Sequence, residues 1–430
     1  MDALPHPPAA VPAPDDRDSR APWQLRVDFL VELARRLHMY GTSAQRLEGA
    51  VTQVARRLDV DTDVWSNPTG MILSFPDPDQ PGHAMTRVIR LEPGEENLGR
   101  LAAADKIAED VLAARMPPRE GLAAMRALDR PRPRFASLWT MLAFGLASAS
   151  VTGLLPHTGW ADLVTAALLG CGIGVLAEAS HGRPRLDHAH EAVAAFLVTL
   201  CATAVATFVA PLSLQGVIIA GLIVLMPGLT LTTAVSELAA KQLVSGTARF
   251  AGALTTLLKL TFGAVAAAQV VNLLGWAPMP NAGQALPGWM PWITLLAGSF
   301  AFAVLFKAAR RDFPLVMASV WLGYGITRAA QLLPGVTENA LPGGVFLAGM
   351  VVTALGNLYG QVANRPSALI RVPGIILLVP GSLGFRSFNF VFEKNVMLGL
   401  DTAFAVVAAL IALVAGILFG NLLLPTRRNL

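Results

Sequence analysis

Two stretches in the apolar part of the chain combine residue types able to bind a small polar molecule. They are Ile223-Val224-Leu225-Met226-Pro227-Gly228-Leu229-Thr230-Leu231-Thr232-Thr233 and Ile376-Leu377-Leu378-Val379-Pro380-Gly381-Ser382-Leu383. Pro lacks a backbone donor and clashes with the carbonyl four residues back, here that of Ile223 or Ile376, while Gly tolerates φ > 0. A helix is expected to break at both points. In lipid no water satisfies the freed backbone groups, so such breaks survive where they face protein or a wet cavity. The half-helix that follows aims unpaired N–H groups and its positive dipole end at that cavity, an arrangement suited to a carboxylate. Thr230, Thr233 and Glu237 share one face of the first half-helix, and Ser382, Arg386 and Asn389 share one face of the second. The expected binding residues are therefore Pro227, Gly228, Thr230, Thr233, Pro380, Gly381 and Ser382. The alternative, that Thr and Ser only re-satisfy carbonyls in kinked packing helices, stays open.

Lys259 is the second unusual residue. It follows Arg249 by ten positions, on the order of 15 Å along a helix, which puts it near the middle of an apolar run. A lysine at that depth is costly unless it meets a cavity or a carboxylate. Lys259 is expected to act as counter-charge or proton-coupling group, with Glu237 a weaker candidate and Arg249, at the inner edge, a further one. Asn357 and Tyr359 either line the same cavity or bond between helices. Glu178, His181, Asp187, His188, His190 and Glu191 surround a loop without metal-ligand spacing and read as solvated. Arg46 and Glu48, Asp61 and Asp63, and Asn67-Pro68-Thr69-Gly70 form no recognisable triad or phosphate loop and read as structural. No catalytic residue, metal or cofactor is expected.

These residues need a membrane to position them. The chain of 430 residues is 54% hydrophobic and only 14% charged, with mean hydropathy +0.53, too apolar for an ordinary soluble protein of that length. Cys171 and Cys201 both lie in apolar runs, which argues against a disulfide framework. The net charge of +4 comes from basic residues in the N-terminal third and in alternating short loops, a topology signal and not a nucleic-acid one. Residues 1–20, rich in Pro and without an apolar core, read as a disordered tail with no cleavable signal peptide.

From 21 to 134 the pattern is that of a small α+β domain. Helical spacing runs over Leu25 to Leu37, and Thr42 or Ser43 caps a second helix to about Leu58. Strand-like runs Val60 to Ser66, Gly70 to Phe75 and Ala84 to Leu91 follow, then helices about Asn97 to Met116 and Pro118 to Leu128, and a basic linker at 130–134. Beyond it lie about ten membrane-length runs: 135–155, 161–180, 191–210, 214–236, 247–274, 289–306, 313–331, 343–363, 367–385 and 396–424. Lys and Arg concentrate in every second connection, which puts both termini and the α+β domain in the cytoplasm. The Pro-Gly pairs are 153 residues apart (380 − 227), and the same shift carries Trp139 onto Trp292. Each half, 135–280 and 281–430, then holds five spans. An odd number makes the second half enter upside down, so an all-α polytopic protein of two inverted five-helix repeats with broken helices is expected.

Tyr40-Gly41-Thr42-Ser43-Ala44-Gln45-Arg46-Leu47-Glu48, the Asn67-Pro68-Thr69-Gly70 turn, Thr86-Arg87-Val88, Met226-Pro227-Gly228-Leu229-Thr230-Leu231-Thr232 and Ser245-Gly246-Thr247-Ala248-Arg249 resemble the threonine/serine exporter family. The second half, with Val379-Pro380-Gly381-Ser382, resembles the companion domain that is a separate small protein in some relatives, split pairs being associated with dicarboxylate export. The resemblance implies export of small hydrophilic metabolites across a bacterial inner membrane, driven by the proton-motive force. Its partners would be an amino acid or dicarboxylate substrate, protons and the lipid bilayer, with a homo-oligomer left open and no nucleic acid. The rivals are a channel and a membrane-anchored hydrolase acting through the N-terminal domain, which shows no convergent nucleophile and base.

Overall fold

The computed structural model describes residues 22–129, 136–180, 182–280, 285–332 and 342–426. The expected tail at 1–20, the basic linker at 130–134, His181 and the terminal Arg427 and Arg428 lie outside the described residues.

The N-terminal unit opens with α1 (Trp23–Met39), which buries Val27, Leu30, Leu33, Ala34 and Leu37, one apolar stripe at helical spacing. Helix α2 (Ala44–Arg57) packs on it. Ser43 stands at its N-cap, but its side chain makes no capping bond. Strands β1 (Asp63–Asn67), β2 (Gly70–Pro76) and β3 (Ala84–Arg90) form one antiparallel sheet in that order. The Asn67 side chain, accepting from the Thr69 amide at 3.0 Å, shapes the first hairpin turn. Met71, Leu73 and Phe75 alternate inward on β2. Helix α3 (Leu98–Leu112) is capped by the Asn97 side chain, which accepts from the Arg100 amide, and α4 (Pro118–Ala127) begins with Pro at its first position.

The apolar region is helical throughout: α5 (Ala136–Leu154), α6 (Trp160–Ser180), α7 (Pro184–Phe208), α8 (Leu214–Leu222), α9 (Gly228–Ala239), α10 (Leu243–Leu273), α11 (Met290–Leu305), α12 (Phe313–Ala330), α13 (Gly343–Ala363), α14 (Ala368–Ile375), α15 (Gly381–Phe392) and α16 (Val396–Leu423). Among the described residues six helices are long and apolar enough to cross a membrane, and α8 with its 3-10 extension and α9, bent by 58°, make a seventh span if counted as one. The chain is thus mostly helical with a small N-terminal sheet, and six to seven spans are distinct by length and composition.

Packing partners recur between the halves. Helix α10 lies on α7 and α9 as α16 lies on α13 and α15, and α8 lies on α6 as α14 lies on α12. Across the centre α5 meets α11, α9 meets α15, α10 meets α15 and α16 meets α9.

The N-terminal unit is seated on the helical region. The Leu98 and Gly99 amides at the start of α3 donate to the Phe306 and Lys307 carbonyls at the end of α11, at 2.9 and 3.1 Å. One helix start thereby satisfies another helix end. Phe302, Phe306, Val316, Leu369 and Val372 join the same apolar core as Leu30, Leu47 and Leu98.

Candidate functional site

Both Pro-Gly pairs break their helices in the same way. Pro227 precedes α9 with φ −82° and ψ 41°, and Pro380 precedes α15 with φ −83° and ψ 37°. Both half-helices have 12 residues. The breaks touch: a Cβ at Gly381 would stand 3.1 Å from both the Cα and the amide nitrogen of Gly228, and one at Gly228 would stand 3.2 Å from the Gly381 amide nitrogen. Only glycine permits that approach without displacing backbone. The first bonds to the capping carbonyls come from the Leu231 amide, donating to Pro227, and the Gly384 amide, donating to Pro380, while the Gly228 amide donates to the Met226 carbonyl at 2.9 Å. By the geometry of a helix start, the amides of Leu229, Thr230, Ser382 and Leu383 have no acceptor within their own helix. Two positive helix ends therefore meet.

They meet at a cavity of about 730 Å³ whose lining includes Pro227, Gly228, Thr230, Thr233, Gly381 and Ser382. Pro380 sits just behind this lining, as the cap of α15. Thr232 back-bonds to the Gly228 carbonyl at 3.0 Å, within the first turn of α9. Arg249 and Tyr324 also reach the cavity, as do Glu178 near the end of α6 and Asp187 and His190 near the start of α7.

The remaining expected residues lie elsewhere. Glu237 is 2% exposed and outside the cavity lining. Its carboxylate accepts from the Ala44 amide at 2.9 Å and the Ser245 hydroxyl at 2.7 Å and pairs with Arg249 Nε at 3.2 Å. It thus fastens the start of α2 to α9 and α10. Lys259 meets Glu191 of α7 at 3.4 Å and does not reach the cavity. Asn357 donates to Asn421 and the Leu424 carbonyl at 2.9 and 2.7 Å, while the Tyr359 hydroxyl accepts from Arg365, which binds Asp312. The first ties α13 to α16, the second ties α13 to the connection that follows it, and neither residue lines the cavity. Arg386 stacks over Phe390, 5.8 Å from its ring centroid.

Sequence reading missed what the N-terminal unit adds. The segment between β3 and α3 brings Gly94, Glu95 and Glu96 to the cavity wall. Glu95 pairs with Lys307 at 2.5 Å. Burial pushes the Glu96 carboxyl up to about 7, against the lowering pull of Arg371, Arg249 and Arg46. Arg46, read as structural from its sequence context, donates to Ser367 Oγ at 3.0 Å beside α14, which carries Arg371. No local pattern could announce this cluster, because Arg46 and Ser367 are 321 residues apart. Gly41 was the one legible hint. It has φ +83°, and a Cβ there would lie 3.0 Å from the Glu96 carboxyl. Among the described residues no group of three His, Cys, Asp or Glu side chains could hold a metal ion.

Comparison with known proteins gives this arrangement a family. A family model described as "Putative threonine/serine exporter" matches residues 28–271, and one described as "Threonine/Serine exporter, ThrE" matches residues 292–423. Similar curated proteins include an uncharacterized protein of Schizosaccharomyces pombe, 24% identical over 395 residues, 89% of this chain and 45% of that one. The pheromone-regulated membrane protein 10 of Eremothecium gossypii is 24% identical over 375 residues, 84% of this chain and 48% of its own. Its namesake in Saccharomyces cerevisiae is 24% identical over 399 residues, 87% and 50% respectively. The chain spans about half the length of these relatives, or slightly less. No solved structure matches it. With both models together reaching from residue 28 to residue 423, this multi-pass membrane protein belongs to the threonine/serine exporter family.

Proposed function

We propose that the chain is a secondary exporter that binds a threonine- or serine-type amino acid by its carboxylate between Pro227-Gly228 and Pro380-Gly381. The observation that carries this reading is the contact of two half-helix N-termini at one cavity, an anion site made of backbone. Thr230, Thr233 and Ser382 supply hydroxyls beside it.

The architecture we infer is two inverted halves of five crossings, with α11, α12 and the α14–α15 pair crossing as well as the longer helices. The recurrent packing and the matched break geometry support it. One half rocks against the other around the fixed site, coupled to protons, with both termini in the cytoplasm of a bacterial cell. The bacterial inner membrane rests on the family resemblance alone, since the relatives named above are fungal. Lys259, paired with Glu191, is better suited to steady α7 on α10 than to carry the substrate's counter-charge.

A dicarboxylate is the second reading, favoured by the three guanidinium groups around Glu96. Export assays separate function from insertion. Gly228→Leu and Gly381→Leu each force a side chain into the other break, and each is expected to reduce threonine export at least 100-fold with normal membrane insertion. Normal export by both variants would place the site elsewhere.

A further inference from the structure

Glu96 belongs to the N-terminal unit, yet it lines the same cavity as the two breaks. Two glycines seat it there. A Cβ at Gly94 would lie 1.9 Å from the His38 carbonyl oxygen, so the segment leading to Glu96 presses its backbone against the end of α1, and Gly41 leaves room for the carboxyl itself. Among the described residues no hydrogen bond or salt bridge closes on that carboxyl, although Arg46 on α2, Arg249 on α10 and Arg371 on α14 are within electrostatic reach. Arg249 is committed to Glu237 and Arg46 to Ser367. Lys307 is committed to Glu95. The other titratable groups lining the cavity are Glu178, Asp187, His190 and Tyr324. Arg371 is the guanidinium left to balance Glu96, which is thus a carboxylate at a cavity wall whose charge partners close no bond on it.

We propose that Glu96 binds the α-ammonium group of the amino-acid substrate and, in the return step, a proton in its place. This rests on the exporter reading above and deepens it, because the N-terminal unit then supplies part of the binding site. The cavity thus offers a partner to each charge of the zwitterion, the meeting helix ends to its carboxylate and Glu96 to its ammonium. Ammonium and proton compete for one carboxylate. A substrate arriving from inside displaces the proton, which leaves to that side. A proton arriving from outside discharges the substrate. Obligatory exchange of this kind is antiport, and it lets an inward proton gradient drive export. A carboxylate held near neutrality by burial is suited to both halves of the cycle. A dicarboxylate has no cationic end to offer, and beside it Glu96 would have to be protonated.

The test is L-threonine binding to the purified full-length protein from pH 5.5 to 8.5, with succinate as second probe. Wild type is expected to bind threonine with constant affinity above about pH 7 and to lose tenfold per unit below it, releasing a proton as it binds. Glu96→Gln should bind threonine at least tenfold more weakly, with no dependence on pH, and Glu96→Asp should restore part of the affinity and its pH dependence. A Glu96→Gln protein that keeps wild-type threonine affinity and pH profile overturns the assignment of Glu96 while leaving the exporter reading intact. A wild-type protein that binds succinate but not threonine overturns both. In that case Glu96→Gln, which mimics the protonated acid, should bind succinate more tightly at pH 8.

Discussion

The two Pro-Gly breaks share a backbone and differ in what holds their far ends. Helix α9 ends at Ala239 and α15 at Phe392, again 153 residues later, and the turns that follow place Lys241 and Lys394 at the same φ of +64°. The next helices repeat the contact as well. A Cβ at Gly246 would meet the Leu238 side chain and the Ala234 carbonyl oxygen, and one at Gly399 would meet the Val391 side chain and the Ser387 carbonyl oxygen, all shifted by 153. The side chains part company where the first half receives the N-terminal unit. Glu237 corresponds to Phe390, Ser245 to Leu398 and Arg249 to Thr402. Backbone conformation is duplicated, and this cluster of polar side chains stands where the N-terminal unit docks. The backbone of the breaks is therefore symmetric, whereas the charged side chains around them are not.

Removing the latch tests that asymmetry most severely. Glu237→Ala strands Arg249 and the Ala44 amide, and breaking a buried pair costs about 3–5 kcal/mol. The expected result is a melting temperature lowered by several degrees and faster proteolytic release of the N-terminal unit. At the corresponding position Phe390→Leu keeps most of the apolar volume and should cost under about 1.5 kcal/mol. Equal losses would mean that the N-terminal unit is not held through Glu237.

The glycines near the starts of α10 and α16 probe the shared backbone at intermediate cost. In Gly246→Ala the new methyl meets Leu238 Cγ at 2.7 Å, and in Gly399→Ala it meets Val391 Cγ2 at 2.6 Å. Overpacking of this kind costs about 1–3 kcal/mol. Both variants are expected to lower the thermal midpoint by similar amounts in the same detergent. A silent partner in either pair would mean that the halves pack alike but are not stabilised alike.

These pairs also show what a reader of the chain can and cannot see. The breaks were legible because Pro and Gly act on their own backbone. The three strands were legible because Asn67-Pro68-Thr69-Gly70 and the Pro76-Asp77-Pro78-Asp79 stretch are local turn chemistry. The shift was more legible than one Pro-Gly pair and one Trp pair suggest. It also superposes Gly145 on Gly298, Gly170 on Gly323, Gly221 on Gly374, Gly246 on Gly399 and Gly263 on Gly416. Several of these sit at close approaches, Gly263 against the Ala192 carbonyl and Gly416 against that of Phe346. Glu96 and Arg46 were not legible, because an acid after Pro93-Gly94 and an arginine on an amphipathic helix look solvated until a surface from another part of the chain covers them. Lys259 was singled out as needing a cavity or a carboxylate, and sequence could not choose between the cavity and Glu191, which it meets.

The smallest test concerns the two exposed lysines. Holding a residue with a Cβ at positive φ costs about 1–2 kcal/mol, and glycine removes that cost while losing about 0.5–1 kcal/mol more backbone entropy on folding. Replacing Lys by Gly also removes a charge, so the informative quantity is the difference between Gly and Ala variants at each site. Lys241→Gly should melt above Lys241→Ala by the equivalent of about 0.5–1 kcal/mol, and Lys394→Gly above Lys394→Ala by the same amount, because the two turns have one φ. Measured by thermal unfolding in one detergent, a difference at only one site would show that one turn relaxes out of the left-handed region. The internal symmetry would then hold for the breaks and not for the ends of the half-helices they begin.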